Sequence, residues 1–215
     1  GRPGRAVRTL IEPVTEGDAA LRAFAAGRPD LAVSVDDTFG VTSKLYDRLD
    51  YLTGPDPRDP STIALDFITT NLAVLGLDQA DLAEYEVTDL AVNQATGSTH
   101  LYLRQTFQGI PLYNGLLQVN VNRDGRSMSV NNAWVRGLAA AANAAAPGVS
   151  AGNAVANAAA YLELETRAPP VNLGPPDGEQ QVTRLDPTGI SGEPLEAELM
   201  WLPVAGGEVR LVWNF

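Results

Sequence analysis

The sequence predicts an α+β protein of two lobes, each a helix packed on an antiparallel sheet. Three observations predict it. A helical pattern over 61–76 is followed by period-two segments that close on hairpin signals. The same order, helix then antiparallel strands, returns after residue 150 with unrelated residues. The composition, 45% hydrophobic and 19% charged in 215 residues, is that of a chain able to fill a core.

Taken in order, the chain is irregular to about Asp59. TEGDAALRAFAAG (15–27) suits a short helix with Leu21 and Phe24 inward, and LAVSVDD (31–37) alternates as a strand before Phe39-Gly40 turns the chain out of it. GPDPRDP (54–60) is a breaker with three prolines. Ser61 is the expected N-cap of the next helix, whose Ala64, Ile68, Leu72 and Leu75 share one face before Gly76 stops it. Asp78 and Asp81 then open a short helical turn.

A meander follows through 86–94 and 98–108, then a strand that begins after Gly109-Ile110-Pro111, then 126–134. Leu101, Leu103, Gln105 and Phe107 are expected on one face, with His100, Tyr102, Arg104 and Thr106 on the other. Tyr113, Leu117, Val119 and Val121 oppose Gln118, Asn120 and Asn122 in the same way. Asp124-Gly125 marks the hairpin turn, and Met128, Val130 and Trp134 align on the third strand. One oily face and one amide-rich face describe a sheet packed on one side only.

Residues 136–150 read as a connector, and 150–165 as a helix with Val155, Ala158, Ala159 and Leu162 inward. Pro and Gly dominate 167–194, with one weak strand near Val182. A final hairpin around Ala205-Gly206-Gly207 sets Leu195, Leu199 and Trp201 against Val209, Leu211, Trp213 and Phe215. The reading divides the chain into an N-terminal extension with a short helix and strand (1–54), an α+β domain (55–137), a linker (138–150) and a second α+β region (151–215). The last strand is strongly apolar with no closing segment, so the second region is expected to be incomplete at its C-terminus and the natural polypeptide to continue past Phe215.

Composition excludes several functions. A net charge of −11, with Lys44 as the single lysine, makes nucleic acid a poor partner. No apolar run is long enough to span a bilayer. Without cysteine and with one histidine, His100, the chain has neither a thiolate site nor the histidine pair of a helical metalloprotease signature. No Gly-x-Ser-x-Gly elbow or phosphate-binding loop is present. No catalytic residue, metal ligand or cofactor is therefore assigned. His100 is expected on the polar strand face, Gln105 among buried backbone groups, and Trp134, Trp201 and Trp213 in the core.

The strand ending Gln105-Thr106, then Gly109-Ile110-Pro111, Tyr113-x-Gly115 and Val119-x-Val121 before Gly125, resembles the motif of the fungalysin/thermolysin propeptide domain. The helix 63–82 and its leucine-glycine turn look like that family's helix, and 147–162 is similar to the helix opening a PepSY-like second half. What the resemblance implies is two cystatin-like or PepSY-like lobes forming the prosegment of a secreted fungalysin-type zinc metalloprotease. Such a segment inhibits the catalytic domain and assists its folding by occupying the active-site cleft until cleaved, so the partner is that cognate catalytic domain and the chain itself is not an enzyme. The motif residues are expected to be mostly structural, with Trp213 and Phe215 as candidate partner contacts. The alternative keeps the fold but makes the chain a secreted binding module attached to no protease.

Overall fold

The computed structural model describes residues 19–144 and 146–215. Of the helix expected over 15–27, residues 15–18 lie outside them; the rest is α1 (Ala19–Ala25), which buries Leu21. A hairpin follows, β1 (Leu31–Asp36) and β2 (Val41–Asp47), then α2 (Pro60–Thr70), α3 (Leu72–Leu75) and a 3-10 turn (Gln79–Leu82). The meander is β3 (Tyr85–Val92), β4 (Thr99–Phe107), β5 (Ile110–Val121) and β6 (Ser127–Asn132). A short α4 (Leu138–Ala141) and α5 (Ala151–Tyr161) lead to β7 (Thr183–Leu185), β8 (Leu195–Pro203) and β9 (Val209–Asn214). The class is α+β.

The main sheet has the order β1-β2-β6-β5-β4-β3, with every neighbouring pair antiparallel. Its apolar face is closed by α2 and α3: Ile63, Ala64, Phe67, Ile68 and Leu75 pack on Leu45, Leu101, Leu103, Leu117, Val119 and Val130. Each such aliphatic side chain, taken fully out of water, contributes about 1.5–3 kcal/mol before conformational entropy is charged against it. β8 lies between β7 and β9 and joins the main sheet through β5, where Leu112 pairs in parallel with Trp201. Around that joint sits a second core of Ile110, Leu112, Val135, Leu138, Leu199, Trp201 and Val209. α5 closes a third, smaller one, placing Ala151 and Val155 against Leu185 and Ala197.

Several local expectations are corrected. The N-cap of α2 is Asp59, not Ser61: Pro60 occupies the first turn, where its missing N–H costs nothing, and the Asp59 carboxylate accepts from the Ser61 N–H at 2.9 Å. The chain also has a strand, β2, that its composition concealed. Thr42 and Ser43 are buried there, so apolar alternation is lost, and their hydroxyls donate to the carbonyls of Val74 (2.7 Å) and Ser34 (3.2 Å). A register shift between Asn120 and Val121 turns Ser127 inward and leaves Met128 half-buried. Leu162 is exposed because α5 ends at Tyr161, one residue before it.

The breaker 54–60 has a defined place. Gly125, at φ 73°, ends the β5–β6 connection directly under the Asp56 carbonyl, and a Cβ built there would stand 1.8 Å from that oxygen. Gly125→Ala therefore combines a left-handed conformation with a backbone collision and is expected to cost about 2–4 kcal/mol in urea unfolding. Gly54→Ala, which meets nothing within 4 Å, is expected to stay within about 0.5 kcal/mol of the parent.

Candidate functional site

The turn between β4 and β5 is built by residues with no choice of conformation. Phe107 and Ile110 pair across a two-residue loop whose central residues, Gln108 (φ 54°) and Gly109 (φ 69°), both take positive φ, the requirement of a type I′ hairpin. The Gly109 N–H donates to Glu84 Oε2 at 3.0 Å. Thr106, expected on the polar face, is instead buried, because register breaks between Arg104 and Thr106.

On the β5 side the break is larger. Thr106 pairs with Pro111 and Arg104 with Leu116, so residues 112–115 arch out of the β4–β5 ladder. Leu112 uses the arch to reach Trp201. Asn114 at φ 53° turns the chain back, and Gly115 passes so close to Leu112 that a Cβ would lie 2.5 Å from its side chain. Tyr113, expected inward with Val119 and Val121, sits at the crown of this arch and is 43% exposed. Ile110 and Pro111 are buried at its foot.

Two polar residues lock the joint from behind. Gln105 is 1% exposed, and its carboxamide pairs with both main-chain polar groups of one residue: Nε2 donates to the Val135 carbonyl at 2.9 Å, and the Val135 N–H donates to Oε1 at 2.8 Å. Trp201 Nε1 donates to the Phe107 carbonyl at 3.0 Å. Nearby, the buried Asp81 accepts from the Asp78 N–H (2.9 Å) and the Gly137 N–H (2.7 Å), tying the 3-10 turn to the segment that leaves the sheet. Burial pushes the Asp81 carboxyl upward, against the two backbone N–H groups and Arg136, which favour the anion. The sequence places Asp78 and Asp81 at the start of a helical turn; nothing in it announced the bond to Gly137, nor Glu84 as acceptor for Gly109.

The opposite, solvent-facing side of the main sheet carries a ladder of neutral side chains. Gln118 Nε2 donates to the Tyr102 hydroxyl (3.0 Å) and to Asn120 Oδ1 (2.8 Å), while its Oε1 accepts from Asn131 Nδ2 (3.2 Å). Asn120 Oδ1 also bonds His100 Nδ1, and Asn120 Nδ2 donates to Ser129 Oγ at 2.8 Å. His100 is thus half-buried within the ladder. Among the described residues no group of three or more His, Cys, Asp or Glu side chains is placed to hold a metal ion, and no helix is long and apolar enough to cross a membrane. Trp134 and Trp201 are buried, whereas Trp213 is half-buried with Nε1 donating to the Val149 carbonyl at 2.8 Å; Phe215 is exposed.

Together these residues make a helix-backed antiparallel sheet in which glycines and a buried amide build the β4–β5 joint. A family model, the Fungalysin/Thermolysin Propeptide Motif, matches residues 83–133, the span from the end of the 3-10 turn through β6. The chain is 31% identical over 119 residues to extracellular metalloproteinase MEP of Leptosphaeria maculans, covering 55% of this chain and 19% of that protein. It is 30% identical over 138 residues to extracellular metalloproteinase 2 of Phaeosphaeria nodorum, covering 61% and 21%. Against extracellular metalloproteinase 4 of Arthroderma gypseum it is 28% identical over 183 residues, covering 79% and 28%. The matches span from just under a fifth to just over a quarter of these relatives, and they support the chain as a propeptide of the fungalysin type.

Gln105→Leu keeps the volume but strands the main-chain N–H and C=O of Val135, so a loss of about 2–4 kcal/mol is expected in chemical unfolding. A second test follows from Asp81. Its carboxyl titrates above the ordinary 3.8, so the folded state holds this proton more tightly than the unfolded one. Stability is then expected to fall as pH rises from 3.8 through the raised value. Asp81→Asn should remove that descending contribution from the stability–pH curve, whatever its constant cost from the lost N–H acceptor.

Proposed function

We propose that this chain is the prosegment of a secreted zinc metalloprotease, holding the catalytic domain inactive and assisting its folding until cleavage separates them. The observation that carries the reading is the propeptide motif over 83–133, in a chain related to extracellular metalloproteinases. In this reading 55–137 is the fungalysin/thermolysin propeptide domain, 138–150 a linker, and 151–215 a PepSY-like lobe behind the extension 1–54. The cystatin-like division into two lobes belongs to the proposal; its support is that α2 and α5 close separate cores.

Physically, an inhibitor of this kind needs a rigid scaffold and no reactive groups of its own. The locked β4–β5 joint supplies rigidity. Tethering to the protease puts the two at millimolar effective concentration, so modest intrinsic affinity suffices. Affinity for native but not unfolded protease stabilises the fold it assists by mass action. After cleavage the tether's advantage is gone, and dissociation or degradation frees the enzyme.

The test mixes the purified chain with a mature fungalysin-type metalloprotease from the same organism and follows hydrolysis of a fluorogenic peptide. Inhibition at or below micromolar chain is expected, together with a higher yield when the denatured protease is refolded in its presence. Absence of both effects would overturn the proposal. His100→Ala is expected to leave inhibition within about twofold, because the ladder holds that ring to Asn120 and no metal role is assigned to it; a loss above tenfold would show that His100 acts on the enzyme.

A further inference from the structure

We propose that the outer edge of β3 is the docking edge of the scaffold, taking an extended, basic strand of the metalloprotease catalytic domain by strand addition. The choice of partner rests on the reading above; the choice of edge rests on the structure. Every other sheet edge is compromised. β9 is covered along its first half, where Ala142 bridges Val209 in parallel and Asn143 Oδ1 accepts the Leu211 N–H at 3.0 Å. β7 has Asn172 bridged to Leu185 on its far side. β1 has its apolar side chains, Leu31, Val33 and Val35, already packed in the main core.

β3 has a register shift of its own, between Val87 and Asp89, but its aliphatic side chains join no core cluster. It pairs with β4 on one side from Tyr85 to Val92, and no described strand occupies the other side. Val87, Leu90 and Val92 register with Leu103, Leu101 and Thr99, yet they are 57%, 47% and 51% exposed. Three aliphatic side chains left in water on an eight-residue edge are a hazard unless something covers them. An added strand would cover them and take up about four outward-facing residues' main-chain groups.

Charge selects the occupant. Glu84 precedes the strand, and Glu86 and Asp89 stand on it, all exposed. A second copy of the chain is disfavoured: it would bring the same acids, Glu86 and Asp89, to the shared edge, in a chain of net charge −11. A strand alternating Lys or Arg with apolar residues meets both the acids and the exposed aliphatics. The same acids explain how the edge avoids self-association while it waits for its partner.

The experiment uses the full 215-residue chain and two capped synthetic eight-residue peptides, Lys-Val-Lys-Val-Thr-Val-Lys-Val and its counterpart with Glu for Lys. Binding is read by amide hydrogen exchange and NMR shifts. The basic peptide is expected to bind at least tenfold more tightly and to slow exchange at alternate β3 amides. The double variant E86K/D89K, altered only at exposed positions, should reverse the preference. Equal binding of the two peptides, no binding of either, or protection confined to other strands would overturn the assignment of this edge. In the protease assay, E86K/D89K is expected to inhibit at least tenfold less well than the parent. Equal inhibition by both chains would overturn β3 as the docking edge while leaving the inhibitor reading intact. Inhibition by neither, with the peptide result as expected, would instead remove the metalloprotease as occupant and the inhibitor reading with it.

Discussion

The structure depends on one strand serving two sheets. β5 pairs with β4 and β6 along most of its length, then gives Leu112 to β8 as a parallel partner of Trp201. Everything after residue 195 is oriented by that single register point and by the core that closes on it. A two-sheet strand needs a place where the chain leaves one ladder without stranding its backbone groups. The arch at 112–115 is that place, and it explains why glycine, a left-handed asparagine and a proline cluster within seven residues.

The joint is stiff because its polar groups are fully used. A glutamine in an apolar row is a liability unless both ends of its amide are matched, and Gln105 matches both ends to the main chain of one residue, Val135. Val135 itself lies in the second core, so the amide ties the inner row of the main sheet to the core that holds β8. Trp201 repeats the device at the other end, its indole N–H closing on the carbonyl of Phe107 while the two rings pack 5.7 Å apart. Polar groups here specify an arrangement that apolar burial alone would leave free to slide.

Much of this was legible in the sequence, and the boundary has a physical cause. The meander was readable because Leu101, Leu103, Leu117, Val119 and Val130 keep period two and Asp124-Gly125 punctuates it. β2 was not, because its buried positions include Thr42 and Ser43, whose burial is made tolerable by carbonyls elsewhere in the fold. Tyr113 was assigned to the wrong side because a strand's parity holds only while its register does, and the arch breaks the count. The buried environment of Gln105 was visible from its neighbours; its partner, thirty residues away in a loop, was not.

The amide-rich face and the β3 edge carry different parts of any recognition. On the face, Gln118 and Asn120 commit their amide groups to Tyr102, His100, Ser129 and Asn131. A partner laid there would find hydrogen-bonding groups already committed to one another, and breaking them would cost about what new bonds return. Such a surface sets shape and excludes mismatched partners without supplying much attraction. The β3 edge is the reverse, since its outward main-chain groups face no described strand and its aliphatic residues are exposed. A scaffold that fixes its face and leaves one edge open concentrates its affinity in main-chain pairing, which depends little on the partner's side chains. Charge then has to supply the selectivity that the backbone does not, and that is the part Glu86 and Asp89 are placed to play.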